Sequence, residues 1–329
     1  MKKRVLAMLI VMTMGIMLTG CDKEEAETTN ANVSTGESGT APGEAKKAGK
    51  DIRIAAVFKT LNSEYWGNAK DGAQAAADEL GIECTILGAN DETQITEQVT
   101  IFEEQLSLGI DALVAAPIEE SAVIGALESY VDSVPIIFVD SDAALDGKKA
   151  FVGTGNTAAA KLGGGYIADL LDEGSKVVLI GGQQGESTSS ERIQGFEEAM
   201  EKAGIEILET QYGKNVADSA MAVMEDLLTK YPGEIDAVLS MNDDMALGCM
   251  EAVEASGEDI LILGFDGNKA ALEAIAAGGM TCTVAQQPFD MGYQAVMQAY
   301  EAALGNEIEA IQEVDVVLIN KDNVAEHMK

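Results

Sequence analysis

The stretch Ile110-Asp111-Ala112-Leu113-Val114, followed by Ile137-Phe138-Val139-Asp140, decides the fold, because the chain writes it twice. The second copy is Ile235-Asp236-Ala237-Val238-Leu239, followed by Leu263-Gly264-Phe265-Asp266. Each copy is preceded by a Gly-Ile-Glu step, Gly81-Ile82-Glu83 and Gly204-Ile205-Glu206, and by an earlier glycine, Gly72 and Gly195. Gly72 and Gly81 stand as far apart as Gly195 and Gly204. The spacing from Asp111 to Asp140 matches that from Asp236 to Asp266 to within one residue. Such recurrence marks a duplicated structural unit. It predicts two similar lobes related by approximate twofold symmetry.

Around these copies, short β-rich runs alternate with helical stretches from residue 51 onward. The expected strands are Ile52–Phe58, Glu83–Leu87, Ala112–Ala115, Ile136–Val139, Lys176–Ile180, Glu206–Glu209, Ala237–Leu239, Ile260–Gly264 and Thr281–Ala285. This alternation implies an α/β class with doubly wound parallel sheets. The helices repeat every 3.6 residues or so. In Gln98–Leu108, Val99, Ile101, Phe102 and Leu106 form the stripe expected to be buried, while Glu103, Glu104 and Gln105 are expected to face water.

Charge narrows the function. Lys plus Arg is 21 against 56 for Asp plus Glu, a formal net charge of −35. Phosphate backbones need basic grooves, so nucleic acid is excluded as a partner, and so is a polybasic membrane surface. The single histidine is His327, near the C-terminus, which removes most His-based acid–base chemistry and His-rich metal sites. The four cysteines form no C-x-x-C pair. No calcium loop is present, and neither metal nor cofactor is expected.

The N-terminus reads as a leader. Lys2, Lys3 and Arg4 precede an apolar run from Val5 to Leu18, too short to span a bilayer and suited to a signal segment. Leu18-Thr19-Gly20-Cys21 resembles the bacterial lipobox, which implies cleavage after residue 20, acylation of Cys21 and a lipid anchor. An ordinary signal peptide with an incidental cysteine is the alternative. Residues 22–50 hold Val33 as their one large aliphatic residue. They read with Cys21 as a disordered tether over 21–50. Cys84, Cys249 and Cys282 lie in apolar runs and are expected to act as small buried hydrophobes.

The site follows from the repeat. In open parallel sheets, ligands bind beyond the carboxyl ends of the strands. Asp140 and Asp266 end equivalent strands, so in facing lobes both carboxylates converge on one cleft. Asn62, Asn242 and Gln286 follow strands as well. A cleft lined by Asp, Asn and Gln, with few cations and no His, suits hydroxyl groups. Tyr65-Trp66 adds flat faces against which sugar C–H groups pack. Capping of following helices is the other reading of the two aspartates; for Trp66 it is a core aromatic.

Several motifs carry a family resemblance. They are Val57-Phe58-Lys59-Thr60-Leu61-Asn62-Ser63-Glu64-Tyr65-Trp66, Val139-Asp140-Ser141, Ser190-Glu191-Arg192-Ile193-Gln194-Gly195-Phe196, Asn242-Asp243-Asp244-Met245-Ala246, Gly264-Phe265-Asp266-Gly267 and Val284-Ala285-Gln286-Gln287-Pro288. In order over about residues 51–325, the chain resembles the type I periplasmic solute-binding proteins of ABC sugar importers, in particular those for ribose and allose. The resemblance implies two doubly wound lobes joined by a three-stranded hinge, with ligand in the cleft. It implies ligand contacts from Lys59, Ser63, Tyr65, Trp66, Asp140, Ser141, Arg192, Asn215, Asn242, Asp266 and Gln286. Lys59 resembles the allose-binding version. Ser63 stands where the family usually has Asn, Ser141 where it has Arg or Glu, and Asn215 where it has an aromatic ring.

The expected domains are a leader (1–20), a tether (21–50), a first lobe (51–154 with 287–314) and a second (155–286 with 315–329). The expected function is extracytoplasmic capture of a sugar or sugar-like molecule and its delivery to an ABC permease, by a monomer anchored to the bilayer through Cys21. Presenting such a signal to a membrane receptor would use the same site. A sugar enzyme built on the Asp140–Asp266 pair has nothing else in the chain to support it. A repressor core would need an N-terminal DNA-binding helix pair where the lipobox stands.

Overall fold

A computed structural model describes residues 49–328 of the chain. The leader, Cys21 and residues 22–48 of the tether lie outside the described residues. Gly49 and Lys50, expected in the tether, belong instead to a 3-10 turn, Gly49–Asp51, that leads into the body. No described helix is long and apolar enough to cross a membrane.

The first half runs β1 (Arg53–Thr60), α1 (Glu64–Leu80), β2 (Glu83–Ala89), α2 (Ile95–Ser107), β3 (Ala112–Ala115), α3 (Glu120–Leu127), β4 (Ile136–Val139) and β5 (Ala150–Gly153). The second runs α4 (Asn156–Ala168), β6 (Lys176–Gly181), α5 (Ser187–Ala203), β7 (Glu206–Tyr212), α6 (Ala217–Lys230), β8 (Ala237–Ser240), α7 (Asp243–Ser256), β9 (Leu261–Asp266), α8 (Lys269–Ala277) and β10 (Cys282–Ala285). Four elements follow: α9 (Pro288–Ala303), β11 (Ile311–Glu313), β12 (Val317–Asn320) and α10 (Val324–His327).

Two six-stranded sheets result, ordered β11-β5-β4-β3-β1-β2 and β12-β10-β9-β8-β6-β7. Position for position the orders are the same, so the sequence repeat is a repeat of folds. Its aspartates do the same work twice. Asp111 Oδ2 accepts from the Arg53 amide at 2.9 Å, and Asp236 Oδ2 from the Lys176 amide at 2.7 Å. Each thereby ties the start of a third strand to the start of the first. The repeated glycines admit close helix packing. A Cβ on Gly72 would overlap the Phe289 carbonyl of α9, and one on Gly195 would meet the Thr157 carbonyl of α4.

The chain crosses between lobes at three places: β5 to α4, β10 to α9, and β11 to β12. After the second crossing α9 packs on α1 and the first sheet. The third joins strand to strand. β11 runs parallel to β5, whereas β12 runs antiparallel to β10. A strand that heads for the cleft in one lobe and continues straight leaves the cleft in the other, so its sense reverses relative to its new neighbours.

Apolar residues fill four clusters, one on each face of each sheet. The stripe expected on α2 is partly corrected. Phe102 and Leu106 are buried, but so are Gln98 and Gln105, the latter 8% exposed. Gln98 Nε2 donates to the carbonyls of Phe58 and Ala116 at 3.3 and 2.8 Å, and its Oε1 accepts from the Ile118 amide at 2.9 Å. That amide satisfies the backbone where β1 and β3 run out of partners. Cys249 and Cys282 are buried and Cys84 is half-buried; all three are free thiols. Burial pushes Cys84 and Cys249 up to about 12 and raises Cys282 as well, which leaves them inert.

Candidate ligand-binding site

The two sheets present their strand ends to one cavity between the lobes. Ten of the eleven expected residues line it. The first lobe supplies Lys59 from the end of β1, Ser63, Tyr65 and Trp66 from the start of α1, and Asp140 after β4. The second supplies Arg192 on α5, Asn215 before α6, Asn242 after β8 and Asp266 at the end of β9. Gln286 sits in the second crossing.

Ser141 is the exception. It is fully buried and turned behind the wall, where its Oγ donates to Asp140 Oδ2 at 2.7 Å. It orients the aspartate from behind and is absent from the lining. Asn62 is likewise displaced: it is exposed, and its Nδ2 donates to the Asn90 carbonyl at 2.7 Å. A strand end is a necessary position, but the direction of the following turn decides which side chain reaches the cleft.

The two aspartates share a backbone feature. Asp140 has φ 63° and Asp266 φ 117°, both in the region L-residues avoid. Neither caps a helix. No helix follows Asp140 directly, and the N-cap of α8 is Asn268. The capping positions belong to Ser63, whose Oγ accepts from the Trp66 amide at 3.4 Å, and to Asn242, whose Oδ1 accepts from the Met245 amide at 2.9 Å.

Each aspartate is held by its own set of donors. Tyr65 Oη donates to Asp140 Oδ1 at 2.6 Å. Gln286 Nε2 donates to Asp266 Oδ1 at 2.8 Å, while Gln286 Oε1 accepts from Thr154 Oγ1 at 2.8 Å, so one amide links two of the three crossings to the site. Arg192 lies with its guanidinium carbon 3.7 Å from the Phe265 ring centroid and Nη1 3.6 Å from Asp266 Oδ1. Its Nε donates to Asn156 Oδ1 at 2.9 Å and its Nη1 to the Met241 carbonyl at 2.7 Å. The fork is thus immobilised, which suits a donor aimed at ligand oxygens. Burial raises the Asp266 carboxyl well above the usual carboxylate range; Arg192 opposes that rise and Asp243 adds to it. Asp243, pushed up by burial to about 7, accepts from Thr283 Oγ1 and the Asn268 amide, each at 2.7 Å, behind the Asp266 turn.

Sequence reasoning missed three carboxylates in this wall, Glu92, Glu186 and Asp244. Glu92 follows β2 and Glu186 follows β6, so the strand-end rule that found Asp140 also points at them. Trp66 Nε1 donates to Glu92 Oε1 at 2.7 Å, and Asn215 Nδ2 donates to Glu92 Oε2 at 2.9 Å and to Glu186 Oε2 at 3.1 Å. Lys59 of the first lobe pairs with Glu186 of the second and lies 3.8 Å from Asp140. Burial works against the Lys59 ammonium, but Glu186, Asp140 and Glu92 outweigh it and raise its pKa. Burial likewise opposes the Glu186 charge, and Lys59 with its other donors lowers its pKa regardless.

The lobes are closed on each other. Besides these contacts, Ser187 Oγ donates to the Asp142 carbonyl at 2.8 Å, and the Glu120 amide to the Gly185 carbonyl at 3.1 Å. The cavity between them is about 30 Å³, room for about two waters. A sugar-sized guest therefore requires the lobes and the Lys59–Glu186 bridge to part. Among the described residues no group of His, Cys, Asp and Glu is arranged to hold a metal ion.

Comparison with known proteins agrees with this architecture. The family model for the periplasmic binding protein domain matches residues 54–307. The ribose import binding protein RbsB of Bacillus subtilis is 33% identical over 261 residues, 79% of this chain and 84% of that protein. The D-ribose/D-allose-binding protein of Pseudomonas aeruginosa is 32% identical over 246 residues, 71% of this chain and 76% of its own length. Among solved structures, a carbohydrate transporter solute-binding protein from Agrobacterium radiobacter in complex with D-arabinose superposes with a TM-score of 0.78 at 27% identity, covering 84% of this chain and 97% of its own.

Proposed function

The chain belongs to the periplasmic binding protein family, and from that premise we propose that it captures a sugar or sugar-like molecule between its lobes and delivers it to an ABC permease. Members of this family serve transporters as binding proteins and are not enzymes. The observation that carries the reading is the convergence of Asp140, Asp266, Arg192, Asn242 and Gln286 beside the Tyr65 and Trp66 rings in one inter-lobe cavity. Carboxylates accept from hydroxyls, amides and guanidinium donate to ring and hydroxyl oxygens, and the aromatic faces pack against C–H groups.

Lys59, Ser63, Asn215 and the residues above are the ligand contacts, with Ser141 orienting Asp140. Residues 51–154 with 287–314 move as one body and residues 155–286 with 315–329 as the other, about the three crossings. Acylated Cys21 tethers a monomer to the extracytoplasmic face of the membrane, and the closed, loaded form docks on the permease.

A thermal-shift screen against pentoses, hexoses, deoxy sugars and polyols tests the reading. A ligand of the folded chain adds RT ln(1 + [L]/Kd), about 2.7 kcal/mol at a hundredfold excess over Kd. At least one member of the panel should raise the melting temperature with saturable dependence. A flat response across the whole panel would contradict sugar capture.

A further inference from the structure

Three carboxylates, Glu92, Asp140 and Glu186, surround the single Lys59 ammonium. Across the whole cavity wall, five carboxylates, with Asp244 and Asp266, face two cations, Lys59 and Arg192. Hydroxyl recognition accounts for Asp140 and Asp266, each of which has a cation nearby, at 3.8 and 3.6 Å. Glu186 has Lys59. Asp244 and Glu92 make no ion pair among the described residues; Asp244 is hydrogen-bonded to Asn268, and Glu92 takes hydrogen bonds from two neutral donors, Trp66 and Asn215.

The same corner is short of donors. Asn215, only 9% exposed, spends both of its donated bonds on Glu92 and Glu186, and its Oδ1 is buried with no partner. Glu92 is half-buried; a carboxylate shielded from water gains from a counter-charge, and a buried acceptor such as Asn215 Oδ1 needs a hydrogen. An ammonium supplies both: one positive charge and three donated hydrogens. A hydroxyl supplies a hydrogen and no charge. Burial raises Glu92 to about 7, with Lys59 opposing and Glu186 and Asp140 adding to the rise.

Resting on the sugar-capture reading above, we propose that the natural ligand is a polyhydroxy compound bearing a protonated amine, an aminodeoxy sugar or amino polyol, with its ammonium seated against Glu92 and Glu186. The hydroxyl-bearing remainder meets Asp140, Asp266 and Arg192.

Calorimetric titration of the full chain with matched pairs tests this. The pairs are D-glucosamine against D-glucose, D-galactosamine against D-galactose, and 1-amino-1-deoxysorbitol against sorbitol. In at least one pair the amine should bind tenfold or more tightly than its neutral parent, and added salt should narrow that ratio. In Glu92→Gln the ratio should collapse toward one. The salt series uses the unaltered protein and stands even if the variant fails to fold. If neutral parents bind as tightly as their amines or better, the amine proposal is overturned and sugar capture survives. If no compound of either kind binds, sugar capture itself is contradicted and the amine proposal falls with it.

Discussion

The Asn215 amide of the second lobe donates to the Glu92 carboxylate of the first at 2.9 Å. Together with the Lys59–Glu186 pair, this contact spans the cleft and holds the two lobes shut around a cavity too small for a sugar. The bridge and the ligand therefore compete for the same space and the same partners.

Breaking the bridge should open the ligand-free protein. Glu92→Ala combined with Glu186→Ala removes the two carboxylates of this bridge and leaves Lys59 beside Asp140. Small-angle scattering should show a larger radius of gyration for this variant than for the unaltered chain, each free of ligand. Equal radii would show that the crossings alone set the lobe angle.

Acidity should act on the same corner. Burial moves Glu92 from the usual 4.5 up to about 7, with Lys59 opposing and Glu186 and Asp140 adding. A carboxyl raised on folding binds more protons folded than unfolded. Its stabilising contribution is complete below about pH 4.5 and is lost as pH rises through about 7. Asp243, raised from 3.8 to about 7, acts in the same sense. The melting temperature should fall between about pH 5 and about pH 8, and the fall should be shallower in Glu92→Gln, which cannot titrate. Identical slopes would mean that Glu92 is solvated in the folded chain.

Gly72 marks where helices α1 and α9 touch. A methyl group there meets the Phe289 carbonyl, so Gly72→Ala should destabilise by about 1–3 kcal/mol. The lost stability should appear in the melting curve, with ligand affinity unchanged, because the contact lies away from the cavity. An unaltered melting temperature would show that the helices can slide apart freely.

The proposed anchor at Cys21 can be tested apart from binding. Cys21→Ala should abolish labelling by a radioactive fatty acid and release the protein from the membrane fraction, with no change in affinity. Undiminished labelling would place the acyl chain elsewhere.

Much of this molecule is legible in its sequence, because duplication turns a weak pattern into a strong one. The two Asp-terminated strands, the matching glycines and the strand alternation identify both sheets before any coordinate is seen. Strands β5, β11 and β12 escape notice although β3, β4, β8 and β10, at four residues each, do not: β11 and β12 are partly exposed and make no continuous buried run, and the pairing of all three is imposed by neighbours. The antiparallel sense of β12 follows from the straight third crossing, a tertiary matter. In the site, residue type and strand-end position find Asp140, Asp266, Asn242 and Gln286. They do not separate Ser141, which turns behind the wall, from Glu92 and Glu186, which turn into it. Buried polar Gln98 and Gln105 defeat periodicity in the same way, since burial of an amide depends on the carbonyls it reaches.

Asp266 carries the central claim. It ends β9 at a positive φ of 117° and accepts from Gln286 Nε2. It caps no helix, since that position belongs to Asn268. On the proposed reading its remaining acceptor capacity goes to ligand hydroxyls, at about 1.5–3 kcal/mol per hydrogen bond to the ionised carboxylate less desolvation. Calorimetric titration of Asp266→Ala with the identified ligand, beside its melting curve, is the most direct test. The account predicts a loss of about 30- to 1000-fold in affinity, on the order of 2–4 kcal/mol, with the fold intact. Binding within threefold of the unaltered protein, whatever the melting temperature, would contradict it.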